Sequence, residues 1–238
     1  MNIKHGMVLA AGLGKRMQPL TLKTPKPLLE INNISLIERA INLLVNHGVT
    51  EISINIHYLP EKSQSFLKNK NFKTKISISS EVDLLLDTGG GVLEGTKNFN
   101  DNPFFVINPD TVWSKRYLEE IKNLENIYFQ NNKPSLLLVN KDLSIDPSFN
   151  GDFNLKNGKI SKGNENQFIF TGLHITNRSF LVEEKSKVFS MNKIWNNLIE
   201  DENLQGLESN QKFYHLNTFD WLDELNSPFK KEKLKWML

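Results

Sequence analysis

Cysteine is absent from the 238-residue sequence, which excludes disulfide bonds, zinc sites built on thiolates and thiol nucleophiles. Long apolar runs are also missing, since none approaches the roughly 20 residues that a membrane-spanning helix needs. The first residues, M-N-I-K-H-G, lack the apolar stretch of a secretory signal. We therefore expect a cytoplasmic protein with no membrane contact.

An excess of charge of either sign is lacking too. Lysine and arginine number 29 against 27 acidic residues, so the formal net charge is only +2. A field this weak gives no reason to expect a nucleic-acid partner. The length fits one α/β domain, or a domain with a small subdomain, and is sufficient to bury a sizeable core.

The most informative stretch covers residues 7–28, M-V-L-A-A-G-L-G-K-R-M-Q-P-L-T-L-K-T-P-K-P-L. Residues 7–11 form a short apolar run that predicts a buried strand, and Gly12 and Gly14 follow at once. The stretch carries no acidic residue and four basic ones, which are Lys15, Arg16, Lys23 and Lys26. Glycine lets backbone N–H groups approach an anion closely, and the basic side chains neutralise it. The pattern is typical of a phosphate-binding turn.

Two common phosphate motifs do not fit this turn. The P-loop pattern G-x-x-x-x-G-K-[ST] is not present, and Met17 stands where a dinucleotide-binding turn needs its third glycine. The whole string instead resembles the signature of the sugar-1-phosphate nucleotidylyltransferases, L-A-A-G-x-G-x-R-[ML]-x-P-L-T…P-K-P-L. Within that family it is most similar to the short N-acetylmuramate 1-phosphate uridylyltransferases and their mannose-1-phosphate guanylyltransferase relatives. An ordinary basic turn is the alternative.

The resemblance implies a reaction and roles for the turn. A nucleotidyl group would pass from UTP or GTP to a sugar 1-phosphate with release of pyrophosphate, in cell-wall or envelope sugar metabolism, with Mg²⁺ as cofactor. Lys15 and Arg16 would hold the β- and γ-phosphates, and Lys26 would reach the α-phosphate or the sugar phosphate. The nucleotide would lie against the turn itself, at Leu9, Ala10, Ala11, Gly12 and Gly14.

Alternating helix and strand patterns follow the turn. Residues 35–45 predict a helix that begins at a Ser35 capping box and ends before Gly48. The remaining predicted elements are strands at 51–57, 75–80, 103–108 and 134–140 and helices at 60–67 and 116–130. This order predicts an α/β fold with a doubly wound, mostly parallel, Rossmann-like sheet.

A second glycine cluster lies within residues 85–95, L-L-D-T-G-G-G-V-L-E-G. Three consecutive glycines favour a loop, with a helix beginning near Val92. The resemblance implies that Gly89 and Gly90 meet the nucleobase. A flexible turn is the alternative.

Asp110 follows the apolar strand at 103–108 directly. Open α/β sheets bind ligands at the carboxyl ends of their strands, so Asp110 is the best candidate for a metal ligand. The resembled family has Asn-Gly-Asp where this sequence has Asn-Pro-Asp, and proline restricts the turn. A surface turn aspartate is the alternative.

The second half changes in style, with short predicted strands at 151–155, 158–160 and 168–175. The resemblance implies that this part binds the sugar, through Asp152, Thr171 and Gly172. A purely structural hairpin fits these residues as well. Residues 189–199 predict an amphipathic helix capped by Ser190.

His215 is the most informative departure from the family pattern. Relatives have W-x-D-V-G-T-P near this place, and alignment on Thr218 sets His215 against the aspartate that is their second metal ligand. Imidazole favours zinc-like metals, whereas Mg²⁺ prefers oxygen. Either Asp110, phosphates and water hold Mg²⁺, or His215 completes an altered site, or His215 is a buried structural histidine. Asp220 and Asp223 are further carboxylates, on a predicted helix.

We expect one nucleotidyltransferase domain over residues 1–227, with a nucleotide-binding part at about 1–140 and a sugar-binding part at about 141–227, followed by a basic tail at 228–238. The expected partners are a nucleoside triphosphate and a sugar 1-phosphate, bound by a monomer or small homo-oligomer. Two rival interpretations stay open. One is a phosphocholine-type cytidylyltransferase, and the other is a regulator that binds nucleotides without catalysis.

Overall fold

A computed structural model describes residues 2–227, so the predicted basic tail at 228–238 lies outside the described residues. Nine strands form one central sheet, and two short strands pair in a hairpin beside it. In chain order they are β1 (His5–Leu9), β2 (Glu30–Ile31), β3 (Ile34–Ser35), β4 (Glu51–Ile56), β5 (Lys75–Ser80), β6 (Phe104–Ile107), β7 (Ser135–Asn140), β8 (Asn154–Lys156), β9 (Lys159–Ser161), β10 (Phe168–Thr176) and β11 (Gln205–Ser209).

Six α-helices lie among these strands within residues 2–227. They are α1 (Leu36–His47), α2 (Pro60–Asn69), α3 (Asp87–Gly95), α4 (Leu118–Asn131), α5 (Met191–Glu200) and α6 (Phe219–Asn226). Three one-turn 3-10 helices follow β1, at Lys15–Met17, Leu20–Leu22 and Lys26–Leu28. No helix within residues 2–227 combines the length and the apolar character that spanning a membrane demands.

The central sheet has the strand order β5-β4-β1-β6-β10-β7-β11-β9-β8. Neighbours from β5 through β6 are parallel, and β7 is parallel to β11. Strand β10 runs antiparallel between β6 and β7, and β8 and β9 form an antiparallel hairpin at the far edge. The predicted doubly wound α/β class is confirmed, with the antiparallel pairing in the second half.

Helices cover both faces of the sheet, and each face has its own core. Helices α1 and α4 pack on one face through buried residues such as Ile41 and Leu124. Helices α3 and α5 pack on the other face through residues such as Val92 and Trp195. The central parallel strands β4, β1 and β6 are therefore buried on both sides, which is why β6 reads as a continuous apolar run.

The predicted ends of α1 are confirmed. The Ser35 side chain accepts a hydrogen bond from the Glu38 N–H at 3.3 Å. Gly48 ends the helix in the left-handed conformation, with φ of 109°, and its N–H bonds back to Leu44 and Val45. Ser190 likewise caps α5 by accepting from the Asn192 N–H at 3.3 Å. Local capping chemistry therefore fixes where both helices begin.

The predicted loop at the second glycine cluster is wrong. Helix α3 begins at Asp87 and contains all three glycines. A Cβ at Gly89 would lie 2.4 Å from the Phe189 ring, and one at Gly90 would lie 2.2 Å from the Lys187 carbonyl oxygen. The glycines allow the 187–189 backbone to lie directly against the helix, so they serve close packing.

Candidate active site

The chain reverses its winding direction at β1, which has β4 on one side and β6 on the other. Such switch points open a crevice at the carboxyl ends of the strands. A cavity of about 440 Å³ lies there. Its lining comes from the ends of these strands and of β5, the start of α3, the third 3-10 helix and the segment before α5: Leu9, Ala11, Gly12, Lys26, Pro27, Asn55, Glu81, Leu85, Asp87, Thr88, Asn108, Pro109, Asp110 and Val188.

The glycine turn after β1 folds back against the segment that carries Lys26. Gly14 has φ of 61°, in the left-handed region, and a Cβ there would lie 3.0 Å from both Lys26 Cβ and Thr21 Cγ2. The Thr21 hydroxyl donates to the Gly14 carbonyl at 2.9 Å. Glycine at this position therefore brings the turn and Lys26 together.

The predicted turn residues divide by position. Leu9, Ala11 and Gly12 line the cavity, whereas Ala10 is buried and donates its N–H to Asn55 Oδ1 at 2.7 Å. Lys15 and Arg16 are exposed on the first 3-10 helix and do not line the cavity. Their contact with phosphates stays a prediction.

Lys26 and Asp110 meet in the cavity, although 84 positions separate them. Lys26 Nζ donates to Asp110 Oδ2 at 2.6 Å, and His215 Nε2 lies 3.2 Å from the same oxygen. Burial acts to raise the pKa of the Asp110 carboxyl, but the charges of His215 and Lys26 outweigh it, and the pKa lies far below its usual range. Asp110 is therefore a carboxylate at neutral pH.

His215 reaches Asp110 because their two segments pair. Thr111 and His215 form an antiparallel bridge, and the Leu216 N–H donates to the Asp110 carbonyl at 2.8 Å. The imidazole stacks on Phe213 with ring centroids 6.0 Å apart and meets the edge of Phe149 at 5.5 Å. Within residues 2–227 its Nδ1 has no hydrogen-bond partner. A metal-binding role for His215 stays a prediction.

The side-chain donors near Asp110 fit a metal ion whose other ligands come from a substrate and water. Across residues 2–227 no group of three His, Cys, Asp or Glu residues could hold an ion by itself, and Asp220 and Asp223 are exposed on α6. Mg²⁺ commonly takes one or two carboxylates and completes its shell with substrate phosphates and water. Asp110 fits a Mg²⁺ ion that arrives with a nucleotide, not a preformed ion site.

The predicted sugar contacts have other partners in the structure. Asp152 accepts the Phe170 N–H at 2.9 Å, and the buried Thr171 hydroxyl donates to the Leu137 carbonyl at 2.8 Å. The Gly172 carbonyl accepts the Asn108 N–H at 2.7 Å. None of the three lines the cavity, so their contact with a sugar stays a prediction.

Gly89 and Gly90, in the second glycine cluster, do not line the cavity. The N–H groups of Gly89 and Gly90 donate to the Phe189 carbonyl at 2.8 and 3.1 Å. The residues of this stretch that face the cavity are Leu85, Asp87 and Thr88. Contact of Gly89 and Gly90 with a nucleobase stays a prediction.

Sequence reasoning missed two buried polar residues on the cavity wall, Asn55 and Glu81. Each is 3% exposed. The sequence does indicate Asn55. It is a polar amide near the carboxyl end of a strand whose pattern is otherwise apolar, with Ile52, Ile54 and Ile56, and such strand ends are where α/β sheets bind ligands. Glu81 follows β5 directly and is a carboxylate at the next strand end.

Fold and cavity together define an α/β protein with a cavity at the topological switch point of its sheet, which is where open α/β sheets bind ligands. The chain matches the nucleotidyl transferase family over residues 5–141. It is 27% identical to the N-acetylmuramate alpha-1-phosphate uridylyltransferase of Caulobacter vibrioides, over 90% of this chain and 91% of that protein. It is 40% identical to the mannose-1-phosphate guanyltransferase of Hypocrea jecorina, over 45% of this chain but only 30% of that protein.

Solved structures share the fold across nearly the whole chain. An apo UDP-glucose pyrophosphorylase superposes with a TM-score of 0.77 over 97% of this chain and 99% of its own, at 17% identity. Identity this low shows the fold alone. With the family match over residues 5–141, the chain belongs to the nucleotidyl transferase family.

Proposed function

We propose that this protein transfers a nucleotidyl group from a nucleoside triphosphate to a sugar 1-phosphate, giving a nucleotide sugar and pyrophosphate. The N-acetylmuramate 1-phosphate uridylyltransferase activity is the first candidate, because that relative aligns over 90% of this chain. Mannose-1-phosphate guanylyl transfer is the second, because the guanyltransferase is 40% identical over 110 residues.

One observation carries the proposal. A glycine turn, the Lys26 ammonium and the Asp110 carboxylate lie in one cavity at the strand ends, with Lys26 and Asp110 2.6 Å apart. This arrangement offers backbone N–H groups and a cation to phosphate oxygens, and a carboxylate to a cation that accompanies them. A triphosphate with its bound cation is complementary to all three groups.

The chemistry needs no protein nucleophile. An oxygen of the sugar 1-phosphate is already ionised and attacks the α-phosphorus, the new P–O bond forms, and the bond to the departing pyrophosphate breaks. The protein then contributes by aligning the two phosphates and by neutralising charge that accumulates between them. Lys26 is placed for this role, because its ammonium lies inside the cavity and its side chain is only 14% exposed.

Asp110 is the residue proposed to hold Mg²⁺, with His215 beside it. When bound, the ion would screen the phosphate oxygens and favour in-line displacement. Asp110 is suited to be an oxygen ligand because its pKa is depressed by His215 and Lys26. We assign the approach of the β- and γ-phosphates to Lys15 and Arg16, which lie on the exposed turn.

The two parts of the chain receive different substrates in this proposal. The nucleotide lies against residues 1–140, and the sugar lies toward residues 141–227, with Asp152, Thr171 and Gly172 supporting that side. Both parts contribute strands to one sheet, since β10 pairs with β6 and β7. We therefore treat residues 1–227 as one domain.

A matrix of the four nucleoside triphosphates against several sugar 1-phosphates, with Mg²⁺ or Mn²⁺, tests the proposal by pyrophosphate release. Turnover with UTP and N-acetylmuramate 1-phosphate is the expected result, and turnover with GTP and mannose 1-phosphate would select the second candidate. Pyrophosphate release only from CTP with phosphocholine would show that the acceptor is a phospho-alcohol and not a sugar 1-phosphate. No release from any pair would leave a nucleotide-binding regulator.

A further inference from the structure

Asn55 and Glu81 join three separate segments of the cavity wall. Asn55 Oδ1 accepts the Ala10 N–H of the glycine turn at 2.7 Å. Asn55 Nδ2 donates to Glu81 Oε1, also at 2.7 Å. Glu81 Oε2 accepts the Leu86 N–H, immediately before α3, at 2.9 Å. The turn after β1 and the start of α3 are thus connected through two side chains.

The pair is buried and held at several points. Asn55 and Glu81 are each 3% exposed, so neither side chain is free to rotate into solvent. The Glu81 backbone is fixed as well, because its N–H donates to the Ile56 carbonyl at 2.8 Å and its carbonyl contacts His57 Nδ1 at 2.7 Å. Buried polar groups with all of these partners specify one local geometry.

Helix α3 packs directly onto this pair. A Cβ at Gly91 would lie 2.7 Å from Asn55 Nδ2 and 2.8 Å from Glu81 Oε1. The third glycine of the cluster therefore leaves the room that the two polar groups need at the helix surface. Because Asp87 and Thr88 at the start of α3 line the cavity, a shift of the helix would change the width of the cavity.

We propose that Asn55 and Glu81 are positioning residues that set the distance between the glycine turn and the start of α3, and so the shape of the nucleotide end of the cavity. They act through the Ala10 and Leu86 N–H groups rather than by reacting themselves. The inference rests on the proposed function only in that the cavity binds a nucleotide, and it does not depend on which sugar phosphate reacts.

Each hydrogen bond of the pair has a defined donor and acceptor, so exchanging the amide and the carboxylate tests the proposal. In Glu81→Gln the new amide sets an NH₂ group against either Asn55 Nδ2 or the Leu86 N–H, and two donors then face each other. In Asn55→Asp two carboxylates face each other. In the double variant the new amide at position 81 donates to the new carboxylate at position 55 and accepts from Leu86. That carboxylate still accepts from Ala10, so every bond is rebuilt with the charge moved.

The measurements are calorimetric binding of MgUTP and MgGTP, steady-state kinetics and melting temperature. We expect each single variant to weaken nucleotide binding and raise the nucleotide KM by about tenfold or more, and the double variant to return within about threefold of wild type. The KM for the sugar phosphate should stay unchanged. Glu94→Gln on the exposed side of α3 and Asn69→Asp on α2 are matched controls that should bind as wild type does.

The outcomes separate this inference from the proposed function. A double variant that binds no better than the weaker single variant, at equal melting temperature, overturns the positioning role. So does a single variant that lowers the melting temperature without changing nucleotide binding. If Glu81→Gln does not fold, a folded double variant with near wild-type affinity supports the pair, and an unfolded one overturns it. Calorimetry reads nucleotide binding even if no sugar phosphate is turned over.

Discussion

Lys26 is the residue whose removal tests the candidate site most directly. Its ammonium lies inside the cavity, 2.6 Å from Asp110. We expect Lys26→Ala to lower kcat by on the order of a hundredfold or more, because one preorganised charge at the transferring phosphate is removed. Pyrophosphate release with saturating substrates measures it.

Lys75→Ala is the matched control, since Lys75 is 71% exposed on the edge strand β5. It should keep wild-type turnover and melting temperature. Wild-type turnover in Lys26→Ala would remove the phosphate role assigned to this lysine.

Arg16→Ala, on the exposed turn, should also lower kcat by on the order of a hundredfold, because Arg16 is proposed to hold the phosphates when they bind.

Gly12 allows stability and ligand binding to be separated. An added Cβ there meets nothing within 4 Å, and Gly12 lines the cavity. We expect Gly12→Ala to keep the wild-type melting temperature while weakening nucleotide binding about tenfold or more, because the methyl group fills space that a close-lying phosphate or base needs. Calorimetry beside a thermal melt measures both, and unchanged nucleotide affinity would contradict this role.

His174 gives the fold a pH dependence that is independent of the cavity. Burial lowers the pKa of its imidazole to about 3 from an ordinary 6.5, and it packs against Phe170 and Trp195. Between these two pKa values the unfolded chain binds a proton here that the folded chain does not. The free energy of unfolding therefore falls with decreasing pH in this window, by about 1.4 kcal/mol per pH unit from this group.

Replacing the His174 side chain tests the predicted direction in which the free energy of unfolding changes with pH. In His174→Leu the contribution is absent, so the difference in stability between variant and wild type should grow in favour of the variant as pH falls from 6.5 toward 3. Chemical denaturation at several pH values measures it. A constant difference across the window would show that His174 is protonated in the folded protein.

Helix α3 depends on small residues for its packing. Gly90 lies against the backbone of residue 187, where a Cβ would come within 2.2 Å of the carbonyl oxygen. Backbone cannot move aside as a flexible side chain can, so we expect Gly90→Ala to cost about 1–3 kcal/mol of stability. Gly163→Ala is the control, because its nearest neighbour would lie at 3.4 Å, and equal melting temperatures for the two variants would contradict the packing argument.

Elements with local signals could be predicted well from the sequence. Strand β5 spans the predicted residues 75–80, and the two caps of α1 lie at Ser35 and Gly48. Helix α3 was mispredicted because three glycines are unfavourable in an isolated helix, while tertiary packing against Phe189 selects them. The short β2–β3 hairpin was not predicted, although the Asn32-Asn33 pair indicates a tight turn. Both asparagines have positive φ, as a tight hairpin turn requires.

The site could be predicted where chemistry and strand ends coincide. Lys26, Asp110 and His215 converge because Asp110 follows a strand and His215 lies on the segment that pairs beside it. Asn55 and Glu81 could not be paired in advance. Their contact depends on the register of β4 and β5, which sets Ile56 beside Ser80 and so brings the two strand ends together.

The whole molecule depends on one inserted strand. β6 and β7 both lie within the first 140 residues, yet they are not neighbours, because β10 from the second half lies between them. A fragment of residues 1–140 would therefore lack a central strand and expose buried residues of both cores, such as Ile107 and Leu138. We expect this fragment to remain unfolded or to aggregate, as measured by circular dichroism and limited proteolysis.

Co-expression with residues 141–238 gives the complementary test. The second fragment supplies β10, so the two fragments together should form a soluble complex with the melting behaviour of a single domain. A cooperative melt from the 1–140 fragment alone would show instead that the nucleotide-binding part is an independent domain.

The ion pair between Lys26 and Asp110 has a consequence for the whole reaction cycle. The lysine charge is balanced by an internal carboxylate. A bare triphosphate must compete with that carboxylate for the lysine, whereas a triphosphate carrying Mg²⁺ offers the displaced carboxylate a new partner. The protein should consequently discriminate between chelated and unchelated nucleotide at the binding step, and Asp110→Asn should narrow that preference in calorimetric titrations made with Mg²⁺ and with EDTA.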